Sequence, residues 1–215
     1  VVAGGAHPIE PHPIEPHPIE AHPIEAESYR RMAARVDLSA WPEGARQVVA
    51  RMIHATADES FATSARVGPR AVDAAVAALR RRVTVVCDTR MVMAGIPAVQ
   101  STRCFLDRVA GALPGSTRTA AAIELAAREH PDGALWVIGN APTALVRLLE
   151  LHDRGRVSPA AVVGLPVGYV GAAEAKAALW NSPLQPVAIT NVGARGGSPV
   201  AAAAVNALAA LAAAR

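Results

Sequence analysis

Lysine is almost absent: Lys176 is the only one, and the other 20 of the 21 basic side chains are arginine. Aromatics make up 3% of the chain, and its one short basic run, Arg80, Arg81 and Arg82, has no aromatic neighbours. Nucleic-acid binders concentrate basic charge beside base-stacking or groove-reading groups, so no nucleic-acid partner is expected, and the run reads as a solvated helix end. Two cysteines, Cys87 and Cys104, exclude a disulfide framework and a multi-cysteine zinc site. No apolar run reaches the roughly 20 residues that a bilayer span requires, so no membrane partner is expected either. A basic start, an apolar run and a small-residue cleavage site are all missing from the N-terminus, which sets the expected location as cytoplasmic. Neither G-x-G-x-x-G nor GxxxxGK[ST] occurs, excluding the sharper nucleotide-binding motifs, and HExxH is absent too.

What is present is 215 residues, 52% apolar, with 18 acidic side chains and a net charge of +3. A chain of this length typically buries about 70% of the surface it would expose unfolded, enough for a sizeable core. HPIE occurs four times at a five-residue period, from His7, His12, His17 and His22. Repeated prolines restrict the backbone, and the tract has too little contiguous apolar surface to fold alone, so residues 1–21 are expected to form an extended or disordered tail. Imidazole is a common metal ligand, but no metal is assigned to these histidines. The last copy runs into a helical pattern carried by Ser28, Tyr29, Met32 and Val36.

Residues 22–215 read as one domain. A helix is predicted from Pro42 and Glu43, with Val48, Met52 and Ala55 as its buried stripe. A second should run from Pro69 to Arg82, followed by a strand from Val83 to Asp88. Strands near Leu135 to Ile138 and Ala160 to Leu165, and the strand PVAITNV, are each followed by a glycine-containing turn and a helix, the last being SPVAAAAVNALAALAAA. Repeated strand, turn and helix units predict a single layered α/β/α domain with a mostly parallel central sheet.

Five positions carry chemistry on their own residue types. His54, in RMIHATAD, is either a hydrogen-bonded helix histidine or a group able to supply a proton near neutral pH. Arg118 lies at a loop-to-helix junction where a guanidinium can hold a carboxylate, an anion that arginine's planar fork suits. Asp88, at a strand end, can orient a loop by accepting backbone hydrogen bonds. Arg90 and Met91, just beyond, either face a ligand or cover the sheet edge.

The blocks HPIEAESYR, VVARMIHATAD, VVCDTRMVMAGI, STRTAAA, WVIGNAPTAL, VGLPVGYVGAAEAKAAL and GGSPVAAAAVNAL span roughly residues 22 to 209. Together they strongly resemble the precorrin-8X methylmutase family of cobalamin biosynthesis. The resemblance implies a homodimeric α/β isomerase that needs no cofactor and no catalytic metal. Its substrate would be a tetrapyrrole-derived polycarboxylate, in which a methyl group moves from C11 to C12 to give hydrogenobyrinic acid. It also implies transient contact with neighbouring enzymes of the pathway.

The family's catalytic histidine falls at His54, which would protonate the macrocycle or stabilise a protonated tautomer. Substrate-binding positions fall at Ser28, Asp88, Arg90, Met91, Gly95, Arg118, Asn140, Thr143, Gly168, Tyr169 and Lys176. Pro97 to Val109 departs from the family's usual continuation, so no role is carried over there. The wording of HPIEAESYR and IGNAPTAL resembles the metal-free branch of the family. The alternatives are the cobalt-precorrin-8 methylmutase of the anaerobic branch and a corrinoid-binding carrier without turnover. Because the folding and catalytic motifs begin after the repeats, removing residues 1 to 20 should leave turnover largely intact. A large loss of turnover in a folded, truncated protein would reject this.

Overall fold

The computed structural model describes residues 23–111 and 115–214; the tail expectation for residues 1–21 lies outside them, as does His22. Four short segments are buried along their whole length: β2 (Val85–Cys87), β4 (Leu135–Ile138), β5 (Ala161–Gly164) and β6 (Ala188–Asn191). Uninterrupted burial is what a parallel strand covered on both faces requires, and explains why the first three are apolar runs without alternation, whereas β6 ends in the buried polar pair Thr190 and Asn191. Two strands flank them, β1 (Ala65–Val67) and β3 (Thr102–Cys104), giving the sheet order β1-β6-β5-β4-β2-β3. Only the β1–β6 pair is antiparallel.

The two-residue side-chain period of a strand divides the core. Val85, Cys87, Leu135, Val137, Val163 and Ile189 point to one face, where they meet α2 (Glu43–Thr56), α4 (Ala71–Arg80), α5 (Arg90–Ala94) and α9 (Ser198–Ala213). Val86, Trp136, Ile138, Val162 and Ala188 point to the other, against α6 (Arg118–Glu129), α7 (Pro142–Asp153) and α8 (Ala172–Trp180). The result is the three-layer α/β/α sandwich expected from the strand and helix repeats. Among the described residues, no helix is long and apolar enough to cross a membrane.

The helix α9 buries nearly every side chain of its first three turns, and those are mostly alanine. Small residues on both sides bring it close to its neighbours. A Cβ on Gly95 would stand 2.6 Å from the Ala202 methyl, and one on Gly139 would stand 2.8 Å from the Ala201 methyl. Arg80 donates to the carbonyls of Leu211, Ala212 and Ala214, satisfying acceptors that the end of α9 leaves open. The arginine run is therefore a helix end, as expected.

The strands from 135 and 160 stand where the sequence places them, while β2 is shorter than its predicted span. In α2 the buried stripe is Ala45, Val48, Val49, Met52 and Ile53; Ala55 is exposed, so the predicted stripe is wrong by one position at its end. β1 and β3, three residues each, have no sequence expectation. The first helix, α1 (Pro23–Ala33), buries no residue and lies outside the sandwich against α2.

Candidate active site

In an open α/β sheet, ligands bind beyond the carboxyl ends of the strands, where successive connections leave in opposite directions. Here that switch point lies between β2 and β4, because β2 leads outward to β3 and the chain then returns to β4 on its other side. Asp88, immediately after β2, bridges the gap: its buried carboxylate accepts hydrogen bonds from the backbone N–H groups of Gly139 (3.0 Å), Asn140 and Ala141 (both 2.8 Å). Burial pushes this carboxyl above the usual carboxylate range against the downward pull of those three amides. The loop-orienting role predicted for Asp88 is what the geometry shows.

His54 lies in the last turn of α2, just before Ala57 ends the helix in a left-handed conformation. Its Nδ1 is 3.1 Å from Ser28 Oγ, and its ring stacks on Tyr29 with centroids 4.4 Å apart and planes at 4°. Arg51, one turn earlier on α2, donates through Nη1 to the Tyr29 hydroxyl (3.2 Å) and to Glu25 (2.6 Å). Three residues of α1 thus fix one imidazole in plane and direction, directly or through Arg51. Because Ser28 engages Nδ1, the free edge of the ring presents Nε2. An imidazolium in this place donates from Nδ1 to Ser28 and keeps the Nε2 proton for transfer. The sequence identifies Ser28 and His54, but gives Tyr29 only as part of a helical pattern. The missed signal is an arginine three residues before the histidine, in step with a glutamate and a tyrosine four residues apart.

Arg118, expected to hold a carboxylate, and Arg90, expected to face a ligand or cover the sheet edge, are both exposed. Arg90 pairs with Asp107 through Nε (2.7 Å) and Nη2 (2.6 Å), and Arg118 donates to the Leu106 carbonyl (3.0 Å). Both are anchored by the 3₁₀ turn Leu106–Arg108, within the segment where the family wording breaks off and sequence reasoning assigned nothing. At the start of α7, Thr143 lies 2.7 Å from the Thr117 hydroxyl and 3.2 Å from that of Thr119. Thr117 and Thr143 line a cleft of about 450 Å³ between α6 and α7. Asn140 is exposed at the same edge. Gly95 is placed differently: it packs α5 on α9, and its carbonyl accepts from Asn206 Nδ2 at 2.8 Å.

Beyond β5, the loop with Gly168 and Tyr169 leaves Val167, Tyr169 and Val170 exposed, and Met91 and Val192 add apolar surface at the ends of other strands. Gly168 donates to the Ala194 carbonyl at 3.2 Å, joining this loop to the β6–α9 loop. Lys176 is buried behind them, its ammonium donating to Asn191 Oδ1 (3.0 Å) and to the Arg195 carbonyl. Burial lowers its pKa from 10.5 to about 8. The adjoining cleft of about 440 Å³ is lined by Arg66, Trp180 and Asn191 among others, and does not include His54.

A mostly parallel six-stranded sheet between two helical layers, with His54 oriented by α1 and with Arg90 and Arg118 anchored on the 3₁₀ turn, defines a three-layer α/β domain. The family model described as precorrin-8X methylmutase matches residues 23–211, and the chain belongs to that family, whose members are methyl-migrating isomerases. It is 42% identical over 193 residues to a precorrin-8X methylmutase of Pseudomonas aeruginosa, covering 85% of this chain and 92% of that protein. To a cobalt-precorrin-8 methylmutase of Methanothermobacter thermautotrophicus it is 41% identical over 179 residues, covering 81% of this chain and 84% of that protein. The crystal structure of a precorrin-8X methylmutase from Thermus thermophilus superposes with a TM-score of 0.78 at 34% identity, covering 88% of this chain and 95% of that one.

Proposed function

We propose that this chain moves the methyl group of precorrin-8X from C11 to C12, giving hydrogenobyrinic acid, with His54 as the proton donor. The observation that carries this reading is the imidazole held by Ser28 and Tyr29, with no hydrogen bond to Nε2 among the described residues. Migration is intramolecular: one carbon–carbon bond breaks, another forms, and the proton lent to the macrocycle is returned, so mass is unchanged. The protein's task is to hold one tautomer and to favour the charge distribution of the migrating state over that of the bound substrate. Arg90 and Arg118 bind peripheral acetate or propionate groups in this reading, which their exposure supports. Asp88, Gly95 and Lys176 support the walls of the site from behind, whereas Met91, Asn140, Thr143, Gly168 and Tyr169 lie at its rim.

The relatives at 42% and 41% identity carry the metal-free and the cobalt-containing names, so identity does not separate the branches. The HPIEAESYR and IGNAPTAL wording supports the metal-free substrate. The chain acts as a homodimer in the cytoplasm, in transient contact with the enzymes before and after it. Support for the dimer comes from the exposed apolar side chains Val167, Tyr169 and Val170 on one loop, with Met91 and Val192 exposed at the ends of other strands, since exposed apolar surface marks sites that a partner or ligand covers.

Anaerobic conversion of precorrin-8X followed by absorbance, with mass analysis of the product, tests the reading. A spectral change at constant mass is expected. Binding without conversion would make the chain a carrier, and conversion of the cobalt form alone would move it to the other branch. Ser28→Ala should lower kcat about three- to tenfold with KM unchanged, the loss of one net hydrogen bond. A rise in KM at constant kcat would instead make Ser28 a substrate contact.

A further inference from the structure

The ammonium of Lys176 has no direct path to His54, yet the hydrogen bonds leaving it lead there. Lys176 holds the Arg195 carbonyl, and Asn191 Nδ2 holds the same oxygen at 3.0 Å and the Val192 carbonyl at 3.1 Å. The side chain of Arg195 then reaches the other way, donating from Nη1 to Asp58 Oδ2 (2.5 Å) and Ser60 Oγ (3.0 Å). Asp58 follows Ala57, the left-handed residue that ends the helix carrying His54. The neighbouring Ala194 carbonyl accepts from Gly168, at the base of the Tyr169 loop. The loop itself has no room to shift toward β5, because a Cβ on Gly196 would lie 2.3 Å from the Leu165 carbonyl oxygen. One buried cation therefore secures a backbone segment from which both the helix terminus behind the proton donor and the loop opposite are held.

We propose that Lys176 is a positioning residue: by fixing the 191–195 backbone it sets, through Arg195 and Asp58, the placement of His54. The proposal rests on the isomerase reading for its kinetic readout, and has a second readout that does not. Lys176→Met keeps the length and apolar stem while removing the donors, and the Arg195 carbonyl retains Asn191 Nδ2, so the variant should fold. Lys176→Met and Arg195→Ala should each lower the single-turnover rate about tenfold while changing substrate Kd less than twofold. The double variant should be no slower than either single one, because both cut the same chain. A raised Kd at unchanged rate in Lys176→Met would make Lys176 a substrate contact and overturn the proposal, as would multiplicative losses in the double variant.

A pH profile gives an independent sign. The charged groups that share the adjoining cleft with Lys176 are Arg66 on β1 and Glu174 on its own helix, while Arg195 meets the ammonium through its carbonyl and points its guanidinium away to Asp58. With a folded pKa near 8 against an ordinary 10.5, the unfolded chain binds more protons than the native one between these values. Lys176 thus makes the wild type gain stability relative to Lys176→Met as pH rises from 8 to 10.5. Turnover should fall over the same range as the ammonium becomes a weaker donor. Rates that rise with stability would contradict the positioning role.

Should the wild type convert no substrate, the isomerase reading fails while the structural link can still be tested. Amide hydrogen exchange at residues 57–60 and the His54 ring resonances should then change in both Lys176→Met and Arg195→Ala. If neither responds, or if only the variant at position 195 does, the chain from Lys176 to His54 does not exist. If Lys176→Met fails to fold, the same measurements on Lys176→Gln replace it.

Discussion

His54→Ala should fold, bind the macrocycle and fail to turn it over, with kcat lower by about 10²- to 10⁴-fold, the usual contribution of a positioned general acid. The fold should survive because His54 is only partly buried and sits in the last turn of α2, where alanine is the better helix former. Affinity should survive because, in the proposed reading, the binding energy comes from peripheral carboxylates met by arginines rather than by the imidazole. The measurements are single-turnover absorbance, product Kd and thermal melting on one preparation. A folded variant that keeps wild-type turnover would remove His54 from the mechanism. A parallel loss of affinity would make it a binding group instead.

Asp88→Ala should cost the fold more than any surface change, about 3–5 kcal/mol, because one carboxylate serves three backbone donors. Each buried N–H left without a partner costs about 1–3 kcal/mol, and the Gly139 amide is the most deeply placed of the three. For a chain of this size about 2–4 °C of melting temperature is lost per kcal/mol, so a fall of about 10 °C is expected. Asp88→Asn keeps one acceptor oxygen but turns an amide N–H toward a backbone donor, and should lose roughly half as much. Because the Asp88 bonds shape the turn into α7, residual turnover in either variant should fall at temperatures where the protein is still folded. A melting point within about 2 °C of wild type in Asp88→Ala would show that water takes over all three donors.

The interior of this fold was legible because its strands advertise themselves. LWVI and AVVG are buried on both faces, and such runs, each closed by a glycine-containing turn, have few other readings. The edges were not. β1 and β3 are three residues long and partly exposed, and at that length neither periodicity nor propensity distinguishes a strand from a loop. In the site, His54, Ser28 and Asp88 were each readable from local wording. Asp107, Arg195 and Asp58 were not, since their roles depend on partners 17 to 137 residues away. The segment from Pro97 to Val109 is the sharpest case: its unfamiliar wording hid an edge strand, a core phenylalanine at 105 and the anchors of both arginines.

The helix that orients the imidazole contributes little to the core: it buries no residue fully, and its Met32 packs, partly buried, against the cluster under α2. The rest of its attachment is the Arg51–Glu25 pair, the Ser28 hydrogen bond, one aromatic stack and the Arg35–Glu59 pair just beyond its end, all at or near the surface. Its attachment is therefore an equilibrium separate from global unfolding, of the kind that opens long before a domain melts. The imidazole is oriented only in molecules with the helix attached, so, if His54 is the proton donor proposed above, the attached fraction should multiply the apparent rate constant. Salt screens the ion pairs on which that fraction partly depends. Ionic strength should thereby act on His54 from a distance, through the tether of a helix held mainly at its surface.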